Sequence, residues 1–359
     1  SREHHVKNDA ADMEMFYTAS LAHGLKGFNY YMFSQGINQR GKGVFGKTFY
    51  FQTPLDATAR KSPLFDVAKT VGRFIRREGE DLLKSSTAPQ LCVAYYKPYY
   101  YTDMTSSQLL RERKLAVEKL GLTLDPRFVR EHLLFDGALR ALQTLNINYD
   151  IRDLQNSKVD ALLKYRQLWV VTTEFMDKET QEFLLAYVKR GGHLVIFPAM
   201  PTLDDYLGDC TVLCDGLGLH VGKIIAPNKV DALGIEDVYS TLKEQQEFVV
   251  SEREAIAHTK TGKVNGIRRK VGGGTVTVLG FAFGYTTDEH LQLFEKIAGL
   301  GGVKSDRKAS DPDIQVVVRH GRKHSYMFLL NYHNATKAFT VASKRYSLRP
   351  FSCKVVRIN

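Results

Sequence analysis

The feature that most constrains this 359-residue chain is a pair of short, unbroken apolar runs separated by one helix-sized segment. Leu168-Trp169-Val170-Val171 and His193-Leu194-Val195-Ile196-Phe197 lack the alternation of a half-exposed strand, so both faces of each need cover. Between them Asp177 stands where a helix N-cap belongs. Phe183, Leu184, Tyr187 and Val188 recur at helical spacing, and Gly191-Gly192 supplies the stop. Apolar strands alternating with helices predict a parallel sheet covered on both sides. Leu91 to Tyr95 and Tyr149 to Arg152 read as further strands, 99–124 as helical in part, and Phe135 to Leu145 as a firm helix. Residues 248–250, 256–259, 266–270 and 274–279 read as an antiparallel addition, and Glu289 to Leu300 as the closing helix.

The flanks read differently. Residues 9–24 predict a helix capped by Asp9, with Met13, Phe16, Tyr17 and Leu21 at helical spacing. Phe28 to Phe33 predicts a buried aromatic strand. A Gly-rich polar loop runs from Ser34 to about Lys47, and a helix from Pro63 to about Leu83 carries Leu64, Val67, Val71, Phe74 and Ile75 on its apolar side. Helix, strand, long loop, helix is the closing grammar of an α/β barrel, whose eight units need roughly 250 residues. Only the last unit and a half fits here. At the other end, 301–313 is a polar, Gly-rich linker. Residues 314–319, 325–331, 338–342 and 352–358 alternate as strands between polar turns, predicting a small antiparallel sandwich. Three domains follow: 1–86, the last βα units of a (β/α)8 barrel; 87–303, an α/β domain bounded at Thr87-Ala88-Pro89; and 304–359, a small β domain.

Composition removes several function classes. No apolar run reaches membrane-span length, and no signal-peptide pattern opens the chain. The start at Ser1, without Met, predicts an internal beginning. The net charge of +11 is spread over scattered clusters, Arg73-Arg76-Arg77, Arg111-Arg113-Lys114 and Arg268-Arg269-Lys270, none within a base-stacking motif. Solvated basic faces are expected, with no nucleic-acid or membrane partner. Cys210 and Cys214 lack a second Cys/His pair, so no metal is expected, and no cofactor. Four thiols without a disulfide framework point to a reducing, cytoplasmic setting.

The segment from Ala22 to Phe33, followed by Gly36-Ile37-Asn38, resembles the last barrel strand of β-galactosidases in glycoside hydrolase families 35 and 42. The family 35 pattern is Tyr-Met-Phe, two small residues, then Thr-Asn. Tyr31-Met32-Phe33 and Asn38 match it, whereas Gln35-Gly36 and Ile37 depart from it. The order of parts resembles family 42, in which a barrel is followed by a glutamine-amidotransferase-like (flavodoxin-like) domain used in trimer formation and then a small β domain. Tyr187 to Phe197 looks like part of that middle domain, and Phe328 to Asn334 with Leu348-Arg349-Pro350 looks like its C-terminal module.

The resemblance implies a retaining hydrolase of terminal β-galactosides. Its two glutamates must stand about 5 to 5.5 Å apart across the glycosidic bond. It places both upstream of Ser1, so no catalytic residue is expected in this chain, and the chain alone is expected to be inactive. What remains is one wall of the sugar site. Tyr31 and Phe33 share a strand parity and are expected to face the sugar, with Gln35, Asn38 and Arg40 meeting hydroxyls from the loop. The expected partners are a β-galactoside or related oligosaccharide and further copies of the chain, a trimer by analogy. The alternatives are a non-catalytic carbohydrate-binding or scaffold protein and a hydrolase acting on a different sugar.

Other polar groups have structural readings. Glu174 and Asp177 are placed to cap and charge the following helix, and Asp204-Asp205 to sit on a solvated loop. Amidotransferase chemistry needs a Cys on a Gly-flanked turn, which Phe197-Pro198-Ala199-Met200-Pro201 does not supply. Cys92 reads as core. His4 and His5 read as terminus or site rim, His23 as a charge partner at a helix end, and Gly272-Gly273-Gly274 as a hairpin turn.

Overall fold

A computed structural model describes residues 9–42, 53–101, 134–305 and 307–358. His4, His5, the Arg111 cluster and most of the helical expectation over 99–124 lie outside the described residues. The chain divides into two compact units, residues 1–88 with 306–359, and residues 89–305.

The first unit opens with α1 (Ala10–Ala22) and α2 (Pro63–Leu83). Each start follows from its cap. Asp9 accepts from the Asp12 N–H at 2.9 Å while Asp12 accepts from the Asp9 N–H at 3.0 Å, a reciprocal box. Ser62 accepts from the Leu64 N–H, with Pro63 in the first turn.

The second unit holds β1 (Leu91–Tyr95), α3 (Phe135–Thr144), β2 (Tyr149–Asp153), α4 (Val159–Leu162), β3 (Gln167–Val171), α5 (Lys178–Lys189), β4 (His193–Phe197) and α6 (Val212–Leu217). Then come β5 (Val221–Ile225), β6 (Lys229–Ala232), β7 (Ile235–Tyr239), β8 (Glu244–Phe248), β9 (Ala255–Thr259), β10 (Val264–Val271), β11 (Gly274–Leu279) and α7 (Asp288–Leu300). Nine of these strands form one sheet ordered β2-β1-β3-β4-β11-β10-β9-β6-β7. The first five are parallel, as the unbroken apolar runs require, and the rest are antiparallel. Strands β5 and β8 pair separately. Strands β5, β6 and β7 are half-exposed and polar-rich, which is why the sequence did not announce them.

The core of this unit is aromatic. Trp169 stacks on Phe294 of α7 at 5.8 Å, and Phe197 on Phe283 at 5.0 Å. Buried Gln167 is satisfied by donating to the Ile297 carbonyl and accepting from the Trp169 indole. At the β10–β11 turn, Gly272 has φ +58°. A Cβ on Gly274 would stand 2.2 Å from the carbonyl oxygens of Gly192 and Val188, so that position admits only glycine.

The tail of the chain returns to the first unit. Strands β12 (Ile314–His320), β13 (Ser325–Asn331) and β16 (Ser352–Ile358) form one antiparallel sheet, and β14 (Lys337–Val341) and β15 (Lys344–Leu348) a hairpin. Strand alternation sends Val316, Val318, Met327 and Leu329 against Phe339, Val341 and Leu348 of the hairpin. Val317, Tyr326 and Phe328 go the other way, against Leu21, Ala22 and Leu82 of α1 and α2. The tail strands thus have both faces covered, one by the hairpin and one by the helices.

One expected element is corrected. Phe28 to Phe33 forms no strand, and its residues are half-buried or exposed. A strand needs neighbours for its ladder, and among the described residues the nearest pairing is a single bridge between Ser34 and Leu55. The aromatic rings pack locally instead. Phe28 stacks on Tyr17 of α1 at 4.8 Å, and Tyr30 meets Tyr17 edge-on at 5.6 Å.

Candidate functional site

In the first unit, α1 and α2 begin beside one cleft of about 470 Å³. Its lining is Asp9, Ala10 and Ala11 from the first turn of α1, Ser62, Pro63 and Leu64 from the first turn of α2, and Gln35, Thr53 and Asp56 from the connecting segments. Two helix starts would ordinarily attract an anion. Here Asp9 and Ser62 occupy one N–H of each first turn, and the carboxylates of Asp9 and Asp56 lie on the wall. Such a lining disfavours an anion.

Residues 53–62 form a folded loop around Asp56. One carboxylate oxygen, Oδ1, accepts from the Thr58 N–H (2.8 Å), the Thr58 hydroxyl (2.8 Å) and the Arg60 N–H (2.9 Å), and Oδ2 accepts from Arg60 Nε at 2.8 Å. The Arg60 backbone N–H foremost, then Thr58, holds its carboxyl well below the usual carboxylate range. The loop neck is closed by the Ser62 N–H donating to the Pro54 carbonyl and the Ser62 hydroxyl donating to the Thr53 carbonyl. Leu55 then grips the neighbouring segment twice. Its N–H donates to the Phe33 carbonyl and its carbonyl accepts from the Gln35 N–H, both at 3.0 Å.

Of the sugar-site residues expected from the resemblance (Tyr31, Phe33, Gln35, Asn38 and Arg40), only Gln35 is part of the cleft lining. Tyr31 is 82% exposed, and Phe33 is 41% exposed with edge-on contacts to Tyr30 (5.8 Å) and Phe65 (6.4 Å). Without a strand between them, the parity argument that aimed Tyr31 and Phe33 together has no backbone to act on. Asn38 is half-buried and Arg40 exposed, both outside the cleft lining. Asp56 and Thr53 were missed. The signal was present in Asp56-Ala57-Thr58, where an Asp followed two residues later by a turn donor marks an Asx-type turn. His23 takes the C-cap of α1, but burial lowers its pKa, and the cation at that helix end is Arg319.

In the second unit, the order β2-β1-β3-β4-β11 puts the topological switch between β1 and β3, where doubly wound sheets bind ligands. Two buried phenols fill the space beyond those strand ends. Tyr96 donates to Asp177 at 2.6 Å and accepts from the Asp177 N–H; Tyr99 donates to the Phe175 carbonyl at 2.6 Å and accepts from the Thr173 N–H. Burial pushes both phenols above their ordinary value.

Asp177 caps α5 as expected, accepting from the Thr180 N–H at 2.7 Å. Glu174 does not. It is buried and pairs with Lys223 Nζ at 2.6 Å in a small pocket shared with Pro198, Ala199, Gln245 and Gln246. The chain runs on from β3 for several residues before α5 begins, which carries Glu174 away from the helix start. Asp204 organises its own loop, accepting from the N–H groups of Tyr206 and Gly208. Burial pushes the thiols of Cys92 and Cys214 up to about 12, which makes them core groups and not nucleophiles. Among the described residues, no group of three or more His, Cys, Asp or Glu side chains is arranged to hold a metal ion. None of their helices is long and apolar enough to cross a membrane.

Residues 118–254 match a family model described as GLMA-like, second domain. Over 100% of its length the chain is 51% identical to a β-1,2-glucosyltransferase of Ignavibacterium album and spans 51% of that protein. It is 30% identical, over 90% of its length, to an exo-β-D-glucosaminidase of Thermococcus kodakarensis and spans 40% of it. The chain thus spans about half, or less, of the length of these relatives. Among solved structures, a family 42 β-galactosidase from G. stearothermophilus superposes with a TM-score of 0.74 at 13% identity, covering 99% of this chain and 52% of that one. The β-galactosidase of Bacillus circulans sp. alkalophilus gives 0.70 at 15%. The chain resembles the C-terminal portion of a β-galactosidase-like glycoside hydrolase, and its relatives are glycoside-active enzymes.

Proposed function

We propose that this chain is part of a longer retaining enzyme acting on terminal β-linked hexose, with glucose as the sugar and glucosyl transfer as the reaction. The observation that carries this reading is the 51% identity, along the whole chain, to a β-1,2-glucosyltransferase. The likeness to β-galactosidases lies at 13 to 15% identity and speaks for the fold alone. A β-galactoside is therefore the competing substrate.

In this reading the cleft and the segment from Tyr31 to Arg40 form one wall of the sugar site. Tyr31 and Phe33 offer aromatic faces for stacking, and Gln35, Asn38 and Arg40 offer hydrogen bonds. The carboxylates of Asp9 and Asp56 are engaged by backbone donors, which suits holding structure better than attacking an anomeric carbon. The paired glutamates that retention needs are proposed in the part of the longer protein preceding Ser1. For residues 89–305 we propose a scaffold role in a homotrimer, because the crevice where such a sheet would hold a ligand is filled by Tyr96 and Tyr99.

The test assays the full-length protein and this chain alone on nitrophenyl β-glucoside, nitrophenyl β-galactoside and a β-1,2-linked glucose disaccharide. The full-length protein is expected to turn over the glucosides and release a transfer product with retained configuration, and the chain alone nothing. Faster turnover of the galactoside would restore the β-galactosidase reading. Activity of the chain alone would remove the proposal that its catalytic groups lie elsewhere. Light scattering of the full-length protein tests the trimer, and a monomer would refute it.

A further inference from the structure

Among the described residues no sheet holds the segment that carries the proposed sugar wall, yet two backbone hydrogen bonds with Leu55 grip it on both sides of Ser34. Leu55 is held in turn by the loop that closes on Asp56. Ala59 sits in that loop at φ +62°, a left-handed conformation that a non-glycine residue adopts only when its surroundings hold it. Asp56 supplies that hold. Three donors from Thr58 and Arg60 converge on its Oδ1, and its own N–H donates to the Arg60 carbonyl at 2.9 Å.

We infer that Asp56 is a positioning residue for the sugar wall, acting through Leu55 to fix the backbone from Phe33 to Gln35 and so set Gln35 against the cleft. This rests on the reading of that wall as sugar-binding, but the mechanical part does not depend on it. The Arg60 side chain is largely exposed, so its ion pair with Asp56 contributes little, and the oxygen that accepts from the backbone carries the effect. An amide can replace that oxygen and a methyl group cannot. The substrate meets the wall in the ground state as well as in the transition state, so loosening it weakens binding more than turnover.

The experiment compares Asp56→Ala and Asp56→Asn in the full-length protein by two readouts. Hydrogen exchange followed at the Gln35 and Leu55 amides needs no substrate. Both amides are expected to lose protection in Asp56→Ala and to keep most of it in Asp56→Asn, while α1 and α2 stay protected in both. Steady-state kinetics on the sugar the wild type accepts is expected to show KM raised about tenfold in Asp56→Ala with kcat changed less than about threefold, and KM brought back toward wild type in Asp56→Asn. Wild-type protection of both amides in Asp56→Ala would overturn the clamp, and so would equal loss in the two variants. Loss of protection with unchanged KM would leave the loop mechanics standing and refute the link to the sugar wall. A wild type inactive on every glycoside offered would sink the functional reading, with the clamp still judged by exchange.

Discussion

Replacing Arg319 by Met tests a buried polar arrangement in the first unit. Arg319 leaves β12 and is only 4% exposed. Its Nε donates to the Ser85 hydroxyl and its Nη2 to the Ser85 carbonyl, both at 2.8 Å, with longer contacts of 3.4 Å to the carbonyls of Leu82 and Ala22. These carbonyls close α1 and α2, so one guanidinium serves the negative ends of two helices. The two short bonds to a charged donor are each worth about 1.5–3 kcal/mol. The 3.4 Å contacts add little, and Met removes the cost of burying a cation. The balance is a loss of about 3 kcal/mol, or roughly 6–12 °C in Tm at ~2–4 °C per kcal/mol. Scanning calorimetry of the chain reads the shift, and hydrogen exchange across 10–22 and 63–83 should locate it at the last turns of both helices. Arg319→Lys keeps the charge without the fork and should recover less than half of the loss. An Arg319→Met protein that melts at or above the wild-type temperature would refute the reasoning. It would put this arginine with buried charges whose desolvation outweighs their bonds.

Four further outcomes follow from contacts elsewhere in the chain. Gly274→Ala should destabilise the chain by more than about 2 kcal/mol, because the new methyl meets two backbone carbonyls that have no room to move. Gly299→Ala, on the exposed side of α7 with open space around it, should stabilise by about 0.5 kcal/mol; urea titration followed by the fluorescence of Trp169, the chain's single tryptophan, reads both. Asp81 is held at about 2, foremost by the Lys323 backbone N–H, then by His324, Tyr326 and Arg322. A carboxyl whose pKa is depressed on folding contributes in full above its unfolded value of about 4 and loses that contribution as pH falls toward 2. Acid unfolding should therefore steepen between pH 4 and 2, and Asp81→Asn should flatten that limb while lowering the Tm at neutral pH. Finally, Cys92 and Cys214 should resist a thiol reagent at pH 8 in the folded protein and react on unfolding. Fast labelling of either would contradict their burial.

What the sequence made legible was what burial enforces over a whole element. Strands β3 and β4 have apolar residues at successive positions because both faces are covered, and α2 repeats Val67 and Val71 toward its partners. Such patterns survive without knowledge of the neighbours. Phe28 to Phe33 shows the limit. Its residues have the preferences of a buried strand, but a strand is a pairing, and the rings found Tyr17 of α1 instead. Arg319 shows the same limit for polar groups. It ends a stretch that reads correctly as a strand, but its acceptors stand 234 and 297 residues earlier in the chain, and no local pattern marks them. Glu174 and Asp177 both satisfied the cap rule on paper, and only the course of the backbone after β3 separates them.

The candidate site divides along the same line. The family resemblance pointed to an aromatic and amide-bearing segment, and that segment reaches the cleft through Gln35. Its orientation could not be read from strand parity, because the geometry is imposed by a turn whose organising carboxylate lies in a stretch that periodicity ignores. Such a segment takes its conformation from whatever hydrogen-bonds to it, and here Leu55 does so twice, donating to the Phe33 carbonyl and accepting from the Gln35 N–H. On the proposed reading of the sugar wall, binding depends on Asp56-Ala57-Thr58-Ala59-Arg60 as much as on the aromatics. Substitutions in that turn should change sugar binding more than substitutions of exposed Tyr31 change stability.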